Sequence, residues 1–314
     1  MAKIVFIPGK NPKPPPAQHR MQLWRCLLEG VRRANPEAYA DLSGRSEDFR
    51  VAAWNREYYG VESSIAEDLP WVDALLHQHG PTAQDLEDAR EWRHRATALT
   101  YMLADFFPRL ISVFANEAAR STIKETHRYF TNMGGSAELA HAKVMNAVLP
   151  SLEASEPVLL IGHSLGSVIA YNALWLMTHE HGVRRKIDTF LTLGSPLGMQ
   201  FVKSRLLGSH HMGATRFPGC IREWINVSAV GDITALDASL SDDYREMIEL
   251  GLVENISDHL GRVYNHYRSD EGLNPHHIYG YLVNPAVGQL ISEWWYRSSA
   301  KRVDPLSSGT PSSS

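Results

Sequence analysis

The stretch that decides the fold runs from Val158 to Gly166 and reads Val-Leu-Leu-Ile-Gly-His-Ser-Leu-Gly. Its leading apolar residues predict a buried strand, and apolar residues at helical spacing after Gly166 predict a helix. A Gly-x-Ser-x-Gly sequence between a buried strand and a helix places Ser164 on a sharp turn at the helix N-terminus. The helix dipole there favours a developing negative charge, so Ser164 is the candidate nucleophile. The alternative is an ordinary turn in which Ser164 only caps the helix.

Strands and helices alternate in most of the chain. One helix is expected from about Met21 until Asn35-Pro36, and the last helix begins at Asn284-Pro285. This alternation predicts an α/β fold, with a mostly parallel central sheet that helices cover on both faces. The expected strands are 4–7, 49–54, 158–161, 187–193 and 223–227, with a sixth candidate at 262–267.

One segment interrupts the alternation. Residues 60–133 favour helix and show no strand pattern, so we expect a helical insertion, a candidate cap, within one α/β domain spanning 1–300. An apolar stripe from Leu99 to Phe114 could line an acyl pocket, touch a lipid surface or form the insertion's own core. Residues 301–314 end in a Ser/Gly/Pro-rich stretch, and we expect a disordered tail there.

Composition argues against several classes of protein. Apolar residues make up 44% of the chain and charged residues 21%, which is typical of a globular protein. The net charge of −4 and the short basic runs argue against nucleic-acid binding. The sequence has no run of about 18 uncharged apolar residues, so we expect no transmembrane helix. The first residues resemble a strand and not a signal peptide, and we expect a cytoplasmic protein.

Neither the cysteines nor the histidine pairs indicate a metal or an organic cofactor. Cys26 and Cys220 lack metal-binding spacing, and Cys26 lies near the apolar face of a predicted helix. No Walker or dinucleotide fingerprint is present. The histidine pairs have no supporting carboxylate or cysteine cluster; they are His77 with His79, His179 with His181, and His210 with His211. We therefore expect neither a metal site nor a cofactor.

A serine nucleophile needs an acid that orients its base, and Asp232 is the candidate. It follows an apolar strand and a glycine, so it is expected at the carboxyl end of a later strand. The alternative role of Asp232 is to cap a turn. Its rivals are Asp237, Asp242 and Asp243, which lie in a more polar segment that resembles a helix.

The candidate base is His276 or His277. Both lie in the loop between the last predicted strand and the last helix, and His276 is preferred. His259 and His266 fit less well, because they fall within or before the strand. Serine, acid and histidine follow one another along the chain in the order that is typical of the fold with a Gly-x-Ser-x-Gly nucleophile.

Two backbone amides would stabilise the oxyanion that forms during acyl transfer. One belongs to Leu165, directly after the candidate nucleophile. The other is expected from Lys10 or Asn11, in the loop after the first strand, where Gly9 permits a close approach. Prolines further along would stiffen this loop. The alternative is a plain surface loop.

These residues resemble the α/β-hydrolase superfamily. The pentapeptide from Gly162 to Gly166 resembles its nucleophile elbow, with histidine before serine as in many lipases and esterases. The segment from Leu193 to Gly198 resembles the Leu-Gly-(Ser/Thr)-Pro segment of the lipase-like branch, which includes lecithin–cholesterol acyltransferase-type proteins. We expect four residues within these motifs to line a substrate pocket: His163, Ser195, Pro196 and Leu197.

The chain also departs from the superfamily pattern. Its first strand starts at about residue 4, so the two leading strands of the eight-stranded fold are expected to be missing. The oxyanion loop has Pro8-Gly9 where many members have His-Gly, and the insertion follows the second strand, earlier than the usual cap.

The resemblance implies a serine hydrolase of the esterase or lipase-like type. Its substrate would be a small-molecule or lipid-like carboxylic ester, cleaved through an acyl-enzyme by a Ser-His-Asp triad. The same triad serves acyl transfer to an alcohol and cleavage of an amide or thioester. A non-catalytic hydrolase-fold protein that binds a ligand or partner is the remaining alternative.

Overall fold

A parallel sheet of six strands organises the protein in the computed structural model, which describes residues 1–91, 127–232 and 239–303. The strand order is β2-β1-β3-β4-β5-β6, and every neighbouring pair is parallel. Two short strands form a separate antiparallel pair. The strands are β1 (Lys3–Ile7), β2 (Phe49–Val51), β3 (Val158–His163), β4 (Ile187–Leu193), β5 (Ile221–Ala229), β6 (Asn255–Val263), β7 (Arg268–Ser269) and β8 (Gly272–Leu273).

Helices connect the strands and cover both faces of the sheet. The longest among the described residues are α1, which Pro16 begins, and α12, which Asn284 caps by accepting a hydrogen bond from the amide of Ala286. Within the described ranges the helices are α1 (Pro16–Ala34), α2 (Pro36–Ser43), α3 (Asn55–Tyr59), α4 (Ile65–His77), α5 (Ala83–Arg90), α6 (Ser136–Glu153), α7 (Leu165–His179), α8 (Gln200–Lys203), α9 (Leu240–Asp243), α10 (Arg245–Glu249), α11 (Ile278–Leu282) and α12 (Pro285–Val303).

The expected α/β fold with a parallel sheet is confirmed, and β1, β3 and β4 lie where their apolar runs predict them. Two strand predictions were wrong in extent. The second strand ends at Val51, and residues 52–54 leave the sheet. The sixth strand is Asn255–Val263 and not 262–267. It is the edge strand beyond β5, and its polar residues are only partly covered, so it lacks the apolar run that marks a central strand.

The core lies on both faces of the sheet, because alternate strand residues point to opposite sides. Ile161 and Val227 face α1, α11 and α12, whereas Leu160 and Trp224 face α6 and α7. The two clusters explain why β3 is apolar at every position from Val158 to Ile161.

A buried polar network joins α6 and α7 to the segment that begins at residue 127. The hydroxyl of Tyr129 lies 2.7 Å from Nε2 of His141 on α6 and accepts a hydrogen bond of 2.8 Å from Asn172 on α7. Asn172 also accepts from the amide of Leu207 at 3.0 Å. All three side chains of the network are nearly inaccessible to solvent. Buried polar groups need such partners, so the network fixes how these segments pack.

Only part of the predicted insertion, which spans 60–133, lies within the described residues. Between Gly60 and Glu91 the chain forms α4 and α5 and no strand. The apolar stripe from Leu99 to Phe114 lies outside the described residues. Helix α12 continues to Val303, past residue 301, where the predicted tail begins. No helix among the described residues is both long and apolar enough to cross a membrane.

Acid should destabilise this fold through its buried histidines. Burial lowers the pKa of His141 to about 4 and that of His19 to about 3, so both are neutral in the folded protein. The unfolded chain takes up protons near pH 6.5 instead. The stability that these residues contribute is therefore present above about pH 6.5 and is lost as the pH falls towards 4. Urea titrations should show the free energy of unfolding falling by up to roughly 1.4 kcal/mol per pH unit for each histidine.

His141→Gln is the matched control for this prediction. Glutamine can still accept a hydrogen bond from Tyr129 but has no proton to take up. The variant should lose less stability than the wild type between pH 6.5 and pH 4. Parallel pH profiles for the two proteins would contradict the role given to His141.

Candidate active site

The Gly-x-Ser-x-Gly segment forms a strained turn between β3 and α7. Ser164 has φ of +53° and ψ of −131°, a conformation that costs a non-glycine residue free energy. Its amide donates to the carbonyl of Leu193 at 3.1 Å, and its carbonyl accepts from Ser167. A Cβ atom at Gly166 would lie 2.4 Å from the carbonyl oxygen of Ile7, so only glycine permits this approach. The turn therefore presents Ser164 at the N-terminus of α7.

His276 and Asp232 form a hydrogen-bonded pair. Asp232 comes directly after Gly231, in the loop that follows β5, and His276 lies in the loop before α11. Nδ1 of His276 lies 2.9 Å from Oδ2 and 3.1 Å from Oδ1 of Asp232. The aspartate side chain is 0% exposed and the histidine side chain 23% exposed. A carboxylate can only accept, so the proton sits on Nδ1 and Nε2 remains basic.

His163 connects this pair to the serine turn. Its Nε2–H donates to the carbonyl of His276 at 2.8 Å, and the two imidazole rings lie 4.7 Å apart. Burial and the neighbouring His276 hold the pKa of His163 well below its ordinary value, so the ring stays neutral. Because Ser164 is the next residue, the loops that carry the candidate nucleophile, acid and base meet at one end of the sheet.

His277 lies in a different environment from His276. Its ring stacks on Tyr267 at 3.7 Å with an angle of 9° between the planes. Burial, together with Lys13, holds the pKa of His277 well below its usual value. Among the described residues only His276 of the two is bonded to Asp232.

The rival residues have other partners or lie elsewhere. Asp242 accepts from Ser239 and pairs with Arg245, and Asp243 pairs with Lys203. Asp237 lies outside the described residues. His259 lies within β6, paired with Val227, and His266 is buried in the loop after β6.

The loop after β1 passes directly beside the serine turn. A Cβ atom at Gly9 would lie 3.0 Å from both Nδ1 of His163 and Cβ of Ser164. Asn55 donates to the carbonyls of Gly9 and Asn11 at 2.7 and 2.9 Å. The amide of Asn11 donates to the hydroxyl of Tyr59 at 3.0 Å, and Asn11 itself has φ of +75°. The N–H of Asn11 is thus already engaged, which argues against Asn11 as the oxyanion donor of this loop.

Sequence reasoning did not identify the residues that hold this loop. Trp54 donates its indole N–H to the carbonyl of Pro8 at 2.8 Å, and Asn55 and Tyr59 make the contacts described above. The predicted strand over residues 49–54 included residues 52–54, which in the structure turn into α3, so this turn was not predicted. A side chain that bonds only to backbone leaves no recognisable motif in the sequence.

Two of the four side chains expected to line a substrate pocket have structural roles. The hydroxyl of Ser195 lies 2.7 Å from that of Ser167 and accepts from the amide of Leu197. Leu197 is 0% exposed within the core. Pro196 is only partly buried. Ser195 is thus bonded to Ser167 on α7, Leu197 packs in the core, and their contacts give no support to the pocket prediction.

A further residue of the site was missed. The hydroxyl of Tyr281 donates to Oδ2 of Asp232 at 2.5 Å and accepts from the amide of Ala229 at 2.9 Å. Tyr281 lies on α11 and is 0% exposed. Nothing in the sequence separates it from the core aromatic residues around it.

Both cysteines lie away from this chemistry. Cys26 and Cys220 are free and buried, and burial raises the pKa of each thiol, that of Cys220 to about 11. A thiol held protonated in this way is a packing residue and not a nucleophile.

Gly194 should be intolerant of a side chain because it faces the His276–Asp232 pair. A Cβ atom there would lie 2.5 Å from Oδ2 of Asp232 and 3.0 Å from Nδ1 of His276, and φ is +54°. Gly182 has a similar φ of +64° but nothing within 4 Å, so Gly182→Ala measures the backbone strain alone. Gly194→Ala should lower the free energy of unfolding by about 1 kcal/mol more than Gly182→Ala does. Equal losses would show that the close approach is absent.

One protein family matches part of the chain. Residues 119–214 match the family model of lecithin:cholesterol acyltransferase. This segment includes β3, the Ser164 turn, α7 and β4. No curated protein and no solved structure matches the chain significantly. The parallel sheet, the strained serine turn and this partial match together show an α/β-hydrolase fold that is similar to the lecithin:cholesterol acyltransferase family over residues 119–214.

Proposed function

We propose that the protein is a serine hydrolase that cleaves a carboxylic ester through an acyl-enzyme. The observation that carries the proposal is the His276–Asp232 hydrogen bond beside a serine held at φ of +53°. A buried carboxylate that fixes the tautomer of a partly exposed imidazole is the arrangement that a serine nucleophile requires. The backbone strain at Ser164 lies at the candidate nucleophile itself, and such strain is common where a side chain must be presented for chemistry.

In the proposed mechanism, Oγ of Ser164 attacks the ester carbonyl and its proton passes to Nε2 of His276. Asp232 keeps the Nδ1 proton in place and stabilises the imidazolium that forms. His276 then gives the proton to the departing alkoxide, which leaves as the alcohol. Water attacks the acyl-enzyme by the same route in reverse, releasing the acid and restoring Ser164.

The oxyanion of the tetrahedral intermediate would be bound by the amides of Leu165 and Lys10. The Leu165 amide lies at the start of α7, where the helix dipole adds to the stabilisation. The Lys10 amide belongs to the loop that Asn55 and Trp54 hold against the serine turn. Side-chain anchors of this kind reduce the reorganisation that binding the oxyanion costs.

A lipid-like ester is the proposed substrate class, and acyl transfer to an alcohol is the second candidate. Both rest on the match of residues 119–214 to a family named for acyl transfer from lecithin to cholesterol. The triad chemistry is common to both reactions up to the acyl-enzyme, after which the acceptor differs. Product analysis with and without an added long-chain alcohol separates the two. A series of p-nitrophenyl esters of increasing length reports the acyl-chain preference.

Ser164→Ala should abolish both labelling and turnover. The wild type should react with a fluorophosphonate and hydrolyse p-nitrophenyl esters, whereas the variant should lose about a thousandfold or more in kcat. Ser209→Ala is the control, since within the described ranges its hydroxyl makes a single hydrogen bond, to the carbonyl of Ser204 in a half-buried loop. Labelling or hydrolysis that persists in Ser164→Ala would refute the assignment.

His276→Gln and His277→Gln distinguish the two candidate bases. His276→Gln removes the group bonded to Asp232 and should lower kcat by about a hundredfold or more. His277→Gln removes a ring stacked on Tyr267 and should lower the free energy of unfolding more than it lowers kcat. Comparison of kcat with urea unfolding for each variant tests this, and a larger loss of kcat in His277→Gln would reverse the assignment.

A further inference from the structure

The carboxylate of Asp232 is held from two directions by one short segment. His276 approaches from the loop before α11, and Tyr281 approaches from α11 itself, five residues later. The tyrosine hydroxyl also accepts from the amide of Ala229, at the end of β5. That amide and the acidity of the carboxylate both favour donation by Tyr281 to Asp232, because the hydroxyl has one proton to give.

We propose that Tyr281 is a positioning residue of the candidate triad, whose hydroxyl orients the carboxylate of Asp232 and limits the proton affinity of His276. The inference rests on the proposed function, in which His276 must be unprotonated to act. A hydrogen bond to an ionised carboxylate is among the strong ones, and this one lies in a fully buried environment. Donation by the Tyr281 hydroxyl compensates part of the negative charge on Asp232, so that His276 interacts with a weaker charge.

The direction of the effect follows from the charge. Without the hydroxyl, the carboxylate loses a donor and attracts a proton more strongly, whether that proton sits on Asp232 or on His276. The pair as a whole then becomes more basic. Because the proposed base must be free of its proton, the acidic limb of the activity profile moves to higher pH.

The other titratable groups around the pair do not mask this shift. Burial keeps the pKa of His163 and that of His277 well below their usual values, so both rings are neutral at neutral pH. Burial lowers the pKa of Lys13 to about 8, and its charge change therefore falls on the alkaline side. Burial and Asp232 raise the pKa of Tyr281 well above its usual value, so the hydroxyl keeps its proton throughout.

Tyr281→Phe tests the proposal through the pH dependence of kcat/KM. The acidic limb should move up by about 0.5 to 1 pH unit, and kcat at neutral pH should fall by about 5- to 50-fold, less than for loss of the base. Phenylalanine also leaves the Ala229 amide without its acceptor, which lowers stability but predicts no shift of the limb. An unchanged limb, or one moved to lower pH, would overturn the proposal.

Tyr279→Phe is the matched control. Tyr279 is buried on the same helix and faces the rings of Tyr267 and His277, and no hydrogen bond between described residues joins it to Asp232. The variant should leave the acidic limb where the wild type has it. A shift equal to that of Tyr281→Phe would mean that any lost hydroxyl on α11 has the effect, and would overturn the specific role of Tyr281.

A second variant keeps the test valid if Tyr281→Phe does not fold. 3-Fluorotyrosine incorporated at position 281 retains the ring and the acceptor for Ala229 but donates more strongly. The acidic limb should then move to lower pH. A limb that stays in place or moves up would contradict the proposal.

A readout independent of turnover separates this inference from the proposed function. Histidine signals in 15N NMR titrations report the protonation of His276, and the spectrum of His276→Gln assigns them. The His276 midpoint should rise in Tyr281→Phe by the same 0.5 to 1 unit, about the shift expected of the activity profile. If the wild type hydrolyses no ester, the proposed function fails while this titration still tests Tyr281. If Ser164→Ala is inactive and the His276 midpoint is unchanged, only the Tyr281 inference fails.

Discussion

The buried charge of Asp232 is the constraint on which the rest of the site depends. A carboxylate that is 0% exposed is tolerated only when hydrogen bonds replace the water that it loses. His276 and Tyr281 supply those bonds, and both come from residues 274–282, while the carboxylate comes from the end of β5. The pairing therefore ties two segments that are about 40 residues apart in sequence to one point. The same bonds that make the charge tolerable also decide which imidazole nitrogen is basic.

The sheet brings the remaining parts to that point. In a parallel sheet the carboxyl ends of neighbouring strands share one edge, so the loops after β1, β3 and β5 meet there. The loop after β3 carries Ser164, and the loop after β1 carries Gly9, which passes beside it. His163 links these elements to His276, since it precedes Ser164 and donates to the carbonyl of His276. A strained turn, a buried acid and an imidazole thus depend on one another for their positions.

The sequence alone was sufficient to predict a structural element wherever the physical signal for that element was local. Four successive apolar residues mark β3 because that strand is buried on both faces, and the pentapeptide after it is typical of a sharp strand-to-helix turn. The places of Asp232 and His276 after strands predicted that the two side chains would meet, and they are hydrogen-bonded to each other. Strand β6 was misplaced because an edge strand needs no apolar run. Tyr281, Trp54 and Asn55 could not be identified, since each acts through a contact with a residue more than 40 positions away.

The described ends of the predicted insertion are held at two different places on the α/β domain. At one end, Arg268 of β7 pairs with Asp85 and Asp88 of α5. Burial opposes ionisation of Asp85, but hydrogen bonds from Thr82 and Arg268 outweigh it and hold the pKa of this carboxyl below its usual value.

Helix α5 consequently lies against the loop after β5 that carries Asp232. A Cβ atom at Gly231 in this loop would come within 2.8 Å of the carbonyl oxygen of Ala89. At the other end, Tyr129 is bonded to α6 and to the serine helix α7. One anchor, the pairing of Arg268 with α5, therefore adjoins the residue before Asp232. The other anchor, Tyr129, is bonded to the helix that begins directly after Ser164. Substitutions in either anchor would act on the proposed triad through packing, even though neither anchor touches Ser164, His276 or Asp232 among the described contacts.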